Sequence, residues 1–168
     1  MLNGRSRITV LLDNLSNVTR HFWQVDSKQD LTHLLVVSHC AREICQKFCA
    51  GKVWLLDATY KTNKFGMPLF HVVGATASHQ SFTFAYCFMQ NETAADYRWA
   101  ANHLRDLFQE YNLPTNDVTF VTDRGFALMG ALQDIFPNAN MLLCRWHINK
   151  IISARHKKAS QQKLGKHF

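Results

Sequence analysis

The sequence has no long apolar run and no leader of the kind that directs a chain out of the cell. No stretch approaches the roughly 18 to 20 apolar residues that span a bilayer, and residues 1–5 lack the apolar block of a secretory signal. Internal repeats, low-complexity tracts and flexible linkers are also missing. With 168 residues, 47% of them apolar, we expect one compact domain that is neither secreted nor embedded in a membrane.

Paired cysteines are missing too. The odd number of cysteines and the lack of a Cys-x-x-Cys pair indicate neither a disulfide framework nor a complete zinc knuckle. They favour a reducing compartment, the nucleus or the cytosol. Cys45 and Cys49 are one helical turn apart and could present two thiolates to a metal, although small buried thiols on a helix face are the simpler explanation. The five cysteines are Cys40, Cys45, Cys49, Cys87 and Cys144.

Acidic residues are absent from the C-terminal end. Residues 1–143 balance 12 Lys and Arg against 12 Asp and Glu, so the whole net charge of +7 lies in residues 144–168. A segment of one sign suits a polyanion, because each phosphate contact releases condensed counterions. The alternative is a solvated helix face whose acidic partners lie elsewhere. The basic residues are Arg145, Lys150, Arg155, Lys157, Lys158, Lys163 and Lys166.

The order of predicted elements indicates a mixed α/β fold. Three short apolar strands in succession predict an antiparallel meander, and the later alternation of strand and helix predicts parallel strands with helices on both faces of the sheet. The predicted strands are 21–25, 31–37, a run from 53 that carries Asp57, 70–77, 81–89, 118–122 and 140–143. The predicted helices are 6–17, 38–49, 93–111 and 126–136.

Two aspartates follow buried apolar runs. Asp57 ends Val-Trp-Leu-Leu-Asp, and Asp123 ends Val-Thr-Phe-Val-Thr-Asp. If the two strands are neighbours, the carboxylates meet at one edge, where Mg²⁺ or Mn²⁺ relieves their repulsion; such carboxylate sites often serve phosphodiester chemistry. Each aspartate could instead cap a turn or pair with a nearby Lys or Arg.

An ordered series of motifs surrounds these aspartates and resembles the Mutator-like element (MULE) transposase domain over about residues 22–155. The series consists of Asp57-Ala-Thr-Tyr-Lys-Thr-Asn63, Gly66-Met-Pro-Leu69 with Val73-Gly74, Glu92-Thr93 with Tyr97 and Trp99, Val121-Thr-Asp-Arg124 with Ala127-Leu-Met129, and Leu143-Cys-Arg-Trp-His-Ile-Asn-Lys150. The resemblance implies a ribonuclease H-like fold and, in an intact member, an Asp-Asp-Glu triad that binds two Mg²⁺ for DNA cleavage and strand transfer.

By that resemblance, Asp57 and Asp123 are the first two catalytic acids. The third acid is expected beyond the Cys144-x-x-His147 motif, and no Asp or Glu follows Asp134. The sequence therefore predicts a domain truncated before its third acid, with Mg²⁺ or Mn²⁺ as the cofactor of the intact domain and no zinc site. Gly125 stands where the family commonly has Glu, a change expected to affect the start of a helix.

DNA contacts are expected just beyond Asp57 and in the basic segment. Lys61 is the best candidate for a phosphate contact near the acids, or else it neutralises one of them. Trp146 is either a stacking platform for a base or a core residue. Cys144 and His147 either arrange the active site or are a buried thiol and a histidine bonded to backbone. The predicted DNA-binding set is Lys61, Arg145, Trp146, Lys150, Arg155, Lys157 and Lys158.

Three functional hypotheses follow from the sequence. The chain is part of the catalytic core of a nuclear DNA transposase, inactive alone because one acid is missing; or a domesticated DNA-binding regulator without catalysis; or a truncated relic. DNA is the expected partner, with self-association possible and neither a membrane nor a small-molecule substrate expected. We expect an N-terminal extension at 1–50, the partial transposase domain at 51–155 and a basic tail at 156–168.

Overall fold

The computed structural model describes residues 7–16, 19–48, 52–60 and 62–164, which form one mixed α/β fold. The helices in these ranges are α1 (Arg7–Ser16), α2 (Ala41–Phe48), α3 (Ala94–Glu110), α4 (Phe126–Ile135) and α5 (Arg145–Leu164). The strands are β1 (His21–Val25), β2 (Leu31–Val37), β3 (Val53–Thr59), β4 (Leu69–Ala75), β5 (Ser81–Met89), β6 (Thr119–Thr122) and β7 (Asn140–Leu143).

The strands form a single seven-stranded sheet in the order β1-β2-β5-β4-β3-β6-β7. The predicted meander is confirmed, because β4 pairs antiparallel with both β3 and β5. The predicted parallel part is confirmed as well, since β6 lies parallel to β3 and β7 lies parallel to β6. This arrangement agrees with the ribonuclease H-like fold that the resemblance implies.

One face of the sheet carries the core. Burial alternates along β3, where Trp54 and Leu56 are buried while Val53 and Leu55 are exposed. Trp54 packs its ring against Phe84 and Phe108, with ring centroids 5.0 and 4.6 Å apart. Because side chains alternate across a strand, this packing defines a covered face, under α2, α3 and α4, and an open face on the opposite side.

Helix α3 begins at a capping box beside a buried polar pair. Thr93 caps the helix by accepting from the backbone N–H of Asp96, whose carboxylate accepts in turn from the backbone N–H of Thr93. The other oxygen of Asp96 lies 2.9 Å from Nε2 of His33 on β2. Two elements 63 residues apart are thereby joined at the start of α3.

Several element ends differ from the prediction. The second helix begins at Ala41. Ser38 lies in the turn before it, where its carbonyl oxygen accepts a hydrogen bond from the N–H of Ala41. Strand β3 continues to Thr59, so Asp57 lies inside the strand and not at its last residue. Helix α5 begins one residue after β7 and extends into the predicted basic tail as far as Leu164.

The predicted division into extension, domain and tail stays a prediction. Strand β2, from the predicted extension, pairs with β5 of the predicted domain over five residues and continues the same sheet. Cys49 lies outside the described residues, whereas Cys45 is buried on α2. Among the described helices, none combines the length and apolar character that a bilayer crossing needs.

Candidate nucleic-acid and metal site

The parallel register between β3 and β6 brings the two aspartates level. Val53, Trp54 and Leu55 pair with Thr119, Phe120 and Val121. Continuing this register by two residues sets Asp57 beside Asp123, on neighbouring strands that lie about 4.8 Å apart. In this extended register both residues lie at the same edge of the sheet. That their two carboxylates form one site stays a prediction.

Asp123 also shapes the turn into α4. Its Oδ1 accepts a hydrogen bond of 3.0 Å from the backbone N–H of Gly125, the N-cap residue. A Cβ at position 125 would lie 3.0 Å from that same oxygen, tighter than ordinary van der Waals contact. Glycine at this position therefore leaves the carboxylate undisturbed. As expected from Gly125, the first turn of α4 holds no acid.

His147 faces Asp57. Its Nε2 lies 3.8 Å from Oδ1 of Asp57, and Asp57 is 48% exposed. The other ring nitrogen, Nδ1, is buried and has no hydrogen-bond partner among the described residues. The roles of Cys144 and His147 stay predictions. Cys144 is partly buried and lines the same cleft.

An open cleft runs from Asp57 along the open face of the sheet. Leu55, His71 and Val73 line it together with the first turn of α5. His71 stacks on Tyr86 at a centroid distance of 4.6 Å, and its Nε2 lies 3.0 Å from the hydroxyl of Thr83. Burial lowers the pKa of His71, and the nearby charge of Asp57 opposes that shift.

A third carboxylate lies at this end of the sheet, and the sequence analysis gave it no role. Glu92 follows β5 and accepts through Oε2 a 2.5 Å hydrogen bond from the hydroxyl of Tyr60. Its Oε1 is buried and has no hydrogen-bond partner in the described part of the chain. Burial raises the pKa of Tyr97, and the charges of Glu92 and then Asp123 add to the effect. Glu92 and Asp123 thus both lie near one phenol.

The DNA-binding candidates on α5 are accessible where the structure describes them. Trp146 is 61% exposed, so its interpretation as a core residue is wrong. The ammonium of Lys150 lies 4.8 Å from the centroid of the Trp146 ring. Arg145 and Lys150 are exposed. Lys61 lies outside the described residues; α5 carries Arg155, Lys157 and Lys158, whose side chains are not described.

The donor set suits a hard cation but is small. Two carboxylates on adjacent strands supply the oxygen ligands that Mg²⁺ and Mn²⁺ prefer. Within the described ranges, no cluster of three or more His, Cys, Asp or Glu side chains is placed to hold a metal. The residues present therefore fit part of a cation site.

Sequence comparisons relate this chain to known proteins. A family profile described as the MULE transposase domain matches residues 53–151, which run from β3 into α5 and include Asp57, Asp123 and His147. The match covers more than half of the 168 residues.

Two curated proteins are similar in sequence. The chain is 26% identical over 159 residues to Protein FAR1-RELATED SEQUENCE 5 of Arabidopsis thaliana, which covers 89% of this chain and 20% of that protein. It is 30% identical over 104 residues to the PKS-NRPS hybrid synthetase cheA of Chaetomium globosum, which covers 62% of this chain and 2% of that protein. The chain therefore spans a small part of both relatives.

Proposed function

Because this chain belongs to the MULE transposase domain family, we propose that it is a DNA-binding core that holds a divalent cation between Asp57 and Asp123. The observation that supports the proposal is the parallel pairing of β3 with β6, whose register, continued by two residues, sets Asp57 level with Asp123. A bound Mg²⁺ or Mn²⁺ would supply Lewis-acid activation of phosphodiester oxygens. The intact family member would use it for strand cleavage and transfer.

The chain's own residues have distinct parts in this proposal. Asp57 and Asp123 hold the cation, and His147 lies beside Asp57 on the cleft side. The hydrogen bond from Gly125 orients the Asp123 carboxylate. Helix α5 extends from this edge and carries basic residues without a single acid, so it supplies the attraction for the DNA backbone.

Binding of the DNA without cleavage is the second candidate. It is favoured by the absence of a three-ligand cluster in the part of the chain that the structure describes, because two carboxylates hold a cation less firmly than a full triad. The similarity to the FAR1-related protein extends over 89% of this chain and so includes the whole sheet, and is compatible with either candidate.

The metal part of the proposal is tested by titrating Mn²⁺ into the purified chain and following free Mn²⁺ by electron paramagnetic resonance. We expect one site whose affinity falls at least about tenfold in Asp57→Asn, because a carboxylate ligand is lost. Asp117→Asn is the matched control, since Asp117 is exposed and pairs with Lys52 in a loop. Equal affinities for the wild type and Asp57→Asn would reject the cation site.

The DNA part is tested by fluorescence anisotropy with a labelled duplex at several salt concentrations. We expect binding that weakens steeply with salt and is largely lost when Arg155, Lys157 and Lys158 are all changed to Gln, because counterion release drives it. A control variant removes the same charge elsewhere. Unchanged binding in the first variant, or an equal loss in the control, would exclude α5 as the anchor. The control changes Lys28, Lys47 and Lys52 to Gln.

A further inference from the structure

Tyr60 is an exposed side chain whose hydroxyl is held by a hydrogen bond. It follows Thr59, the last residue of β3, and is 63% exposed. Its hydroxyl donates a 2.5 Å hydrogen bond to Glu92, which is 32 residues away. An exposed aromatic ring held at its far end has little freedom to fold back onto the protein.

Glu92 is itself held firmly. The next residue, Thr93, forms the capping box of α3 with Asp96, and Asp96 bonds the buried His33. Strand β4 separates the end of β3 from the end of β5, so the Tyr60 hydrogen bond reaches across the end of one strand. The hydrogen bond therefore ties the Tyr60 ring to Glu92, the residue that directly precedes the capping box of α3.

The hydrogen bond between Tyr60 and Glu92 determines which kind of ligand Tyr60 can bind. The hydroxyl hydrogen of Tyr60 is donated to Glu92, so it is not available to a phosphate oxygen. Asp57, Asp123 and Glu92 also make this end of the sheet electronegative in the absence of a cation. The part of Tyr60 that remains accessible is its ring, and aromatic rings offer a stacking surface to nucleobases.

We propose that Tyr60 is a stacking platform for an unpaired nucleobase at the end of the sheet that carries Asp57 and Asp123, and that Glu92 is the positioning residue that holds the ring. The inference rests on the proposed function, because it assumes that DNA reaches this edge. It adds a specific contact: a base of a single strand or a frayed duplex end, bound through its face and not through its hydrogen-bonding edge. Preorganisation lowers the entropy that binding costs.

The test uses a single-stranded oligonucleotide that contains 2-aminopurine, whose fluorescence falls when the base stacks. We expect the wild-type chain to quench it at saturation. Tyr60→Ala and Tyr60→Leu should abolish the quenching and weaken binding by about 5- to 100-fold, since each removes one base-stacking surface. Two replacements guard against one that fails to fold, and circular dichroism monitors folding. Tyr60→Phe, which keeps the ring, should retain part of the quenching.

Two variants of Glu92 test whether it positions the Tyr60 ring or only contributes to folding. Glu92→Ala frees the hydroxyl and should reduce the quenching at saturation more than it reduces affinity, because the ring is still present but not held. Glu92→Gln should restore most of the quenching, since its amide oxygen accepts the same hydrogen bond. If Glu92→Ala quenches as fully as the wild type, the positioning role is wrong.

Phe65→Ala is the matched control, because Phe65 is 76% exposed in the connection that follows Tyr60. An equal loss in this control would show that any exposed aromatic side chain serves and would overturn the proposal. Wild-type chain that binds the strand by anisotropy without quenching would overturn the stacking inference and leave the proposed function standing. A chain that binds no DNA would overturn both.

Discussion

The two faces of the sheet are built from the same strands but differ in how deeply their side chains are buried. On the covered face, Trp54 and Phe70 are almost fully buried under helices. On the open face, Leu55 is 40% exposed and lines a cleft with Asp57, His71 and the first turn of α5. The alternation of a single strand therefore places the stabilising packing on one side and the candidate chemistry on the other.

The largest difference between the two faces is expected when one side chain on each face of β3 is truncated. Trp54→Ala should lower the free energy of unfolding by about 3–5 kcal/mol, because it leaves a cavity among packed aromatic rings. Leu55→Ala, the next residue on the open face, should cost less than about 1 kcal/mol. Urea unfolding followed by circular dichroism measures both, and equal costs would show that the open face is packed in solution.

The buried polar pair at the start of α3 gives a second contrast. Asp96→Ala should cost about 2–4 kcal/mol, because it removes a capping box and leaves Nε2 of the buried His33 without its partner. Asp134→Ala removes an acid paired with Arg98, where both side chains are 51% exposed. That change should cost less than about 1 kcal/mol. Similar values for the two variants in the same urea experiment would contradict a special role for the cap.

A smaller effect is expected from pH. His103 on α3 stacks on Phe22 at a centroid distance of 4.2 Å and contacts the Trp99 ring edge-on at 4.4 Å. Burial lowers its pKa below the usual 6.5, with the charge of Asp106 opposing the shift. The unfolded chain therefore binds the proton more readily, so the contribution of this group is complete above about pH 6.5 and declines as the pH falls toward the folded pKa.

The variant His103→Phe keeps a stacked ring and removes the titration. We expect its unfolding midpoint to fall less than that of the wild type between pH 7 and pH 5. If the wild-type midpoint rises as the pH falls from 7 to 5, or if the midpoints of the two proteins fall equally, His103 is not the source of the pH dependence.

The sheet was predictable because its strands are short, β-branched and bounded by turn residues. The runs at Ser81–Met89 and Asn140–Leu143 match the prediction at both ends. The same periodicity places Asp57 and Asp123 near the carboxyl ends of their strands, and a cation site formed by the two stays a prediction. Local periodicity predicts the strands, whereas the position of one aspartate relative to the other also depends on the pairing of β3 with β6, which are distant in sequence.

Contacts between distant elements were not predictable in the same way. The hydrogen bond from Tyr60 to Glu92 depends on how β3 and β5 flank β4, and the one local signal was Glu92 standing directly before the capping box of α3. Trp146 has apolar neighbours in sequence, which suggested a core position. Those neighbours, Leu143 and Ile148, are themselves exposed.

The central claim is that Asp57 and Asp123 share one cation at the edge of the open face, and a double-mutant cycle on Mn²⁺ affinity tests it most directly. Asp57→Asn, Asp123→Asn and the double variant are titrated with Mn²⁺ under identical conditions. If the carboxylates share the ion, each single change removes most of the affinity and the double variant loses much less than the sum. Strictly additive losses, or no loss in either single variant, would contradict a shared site.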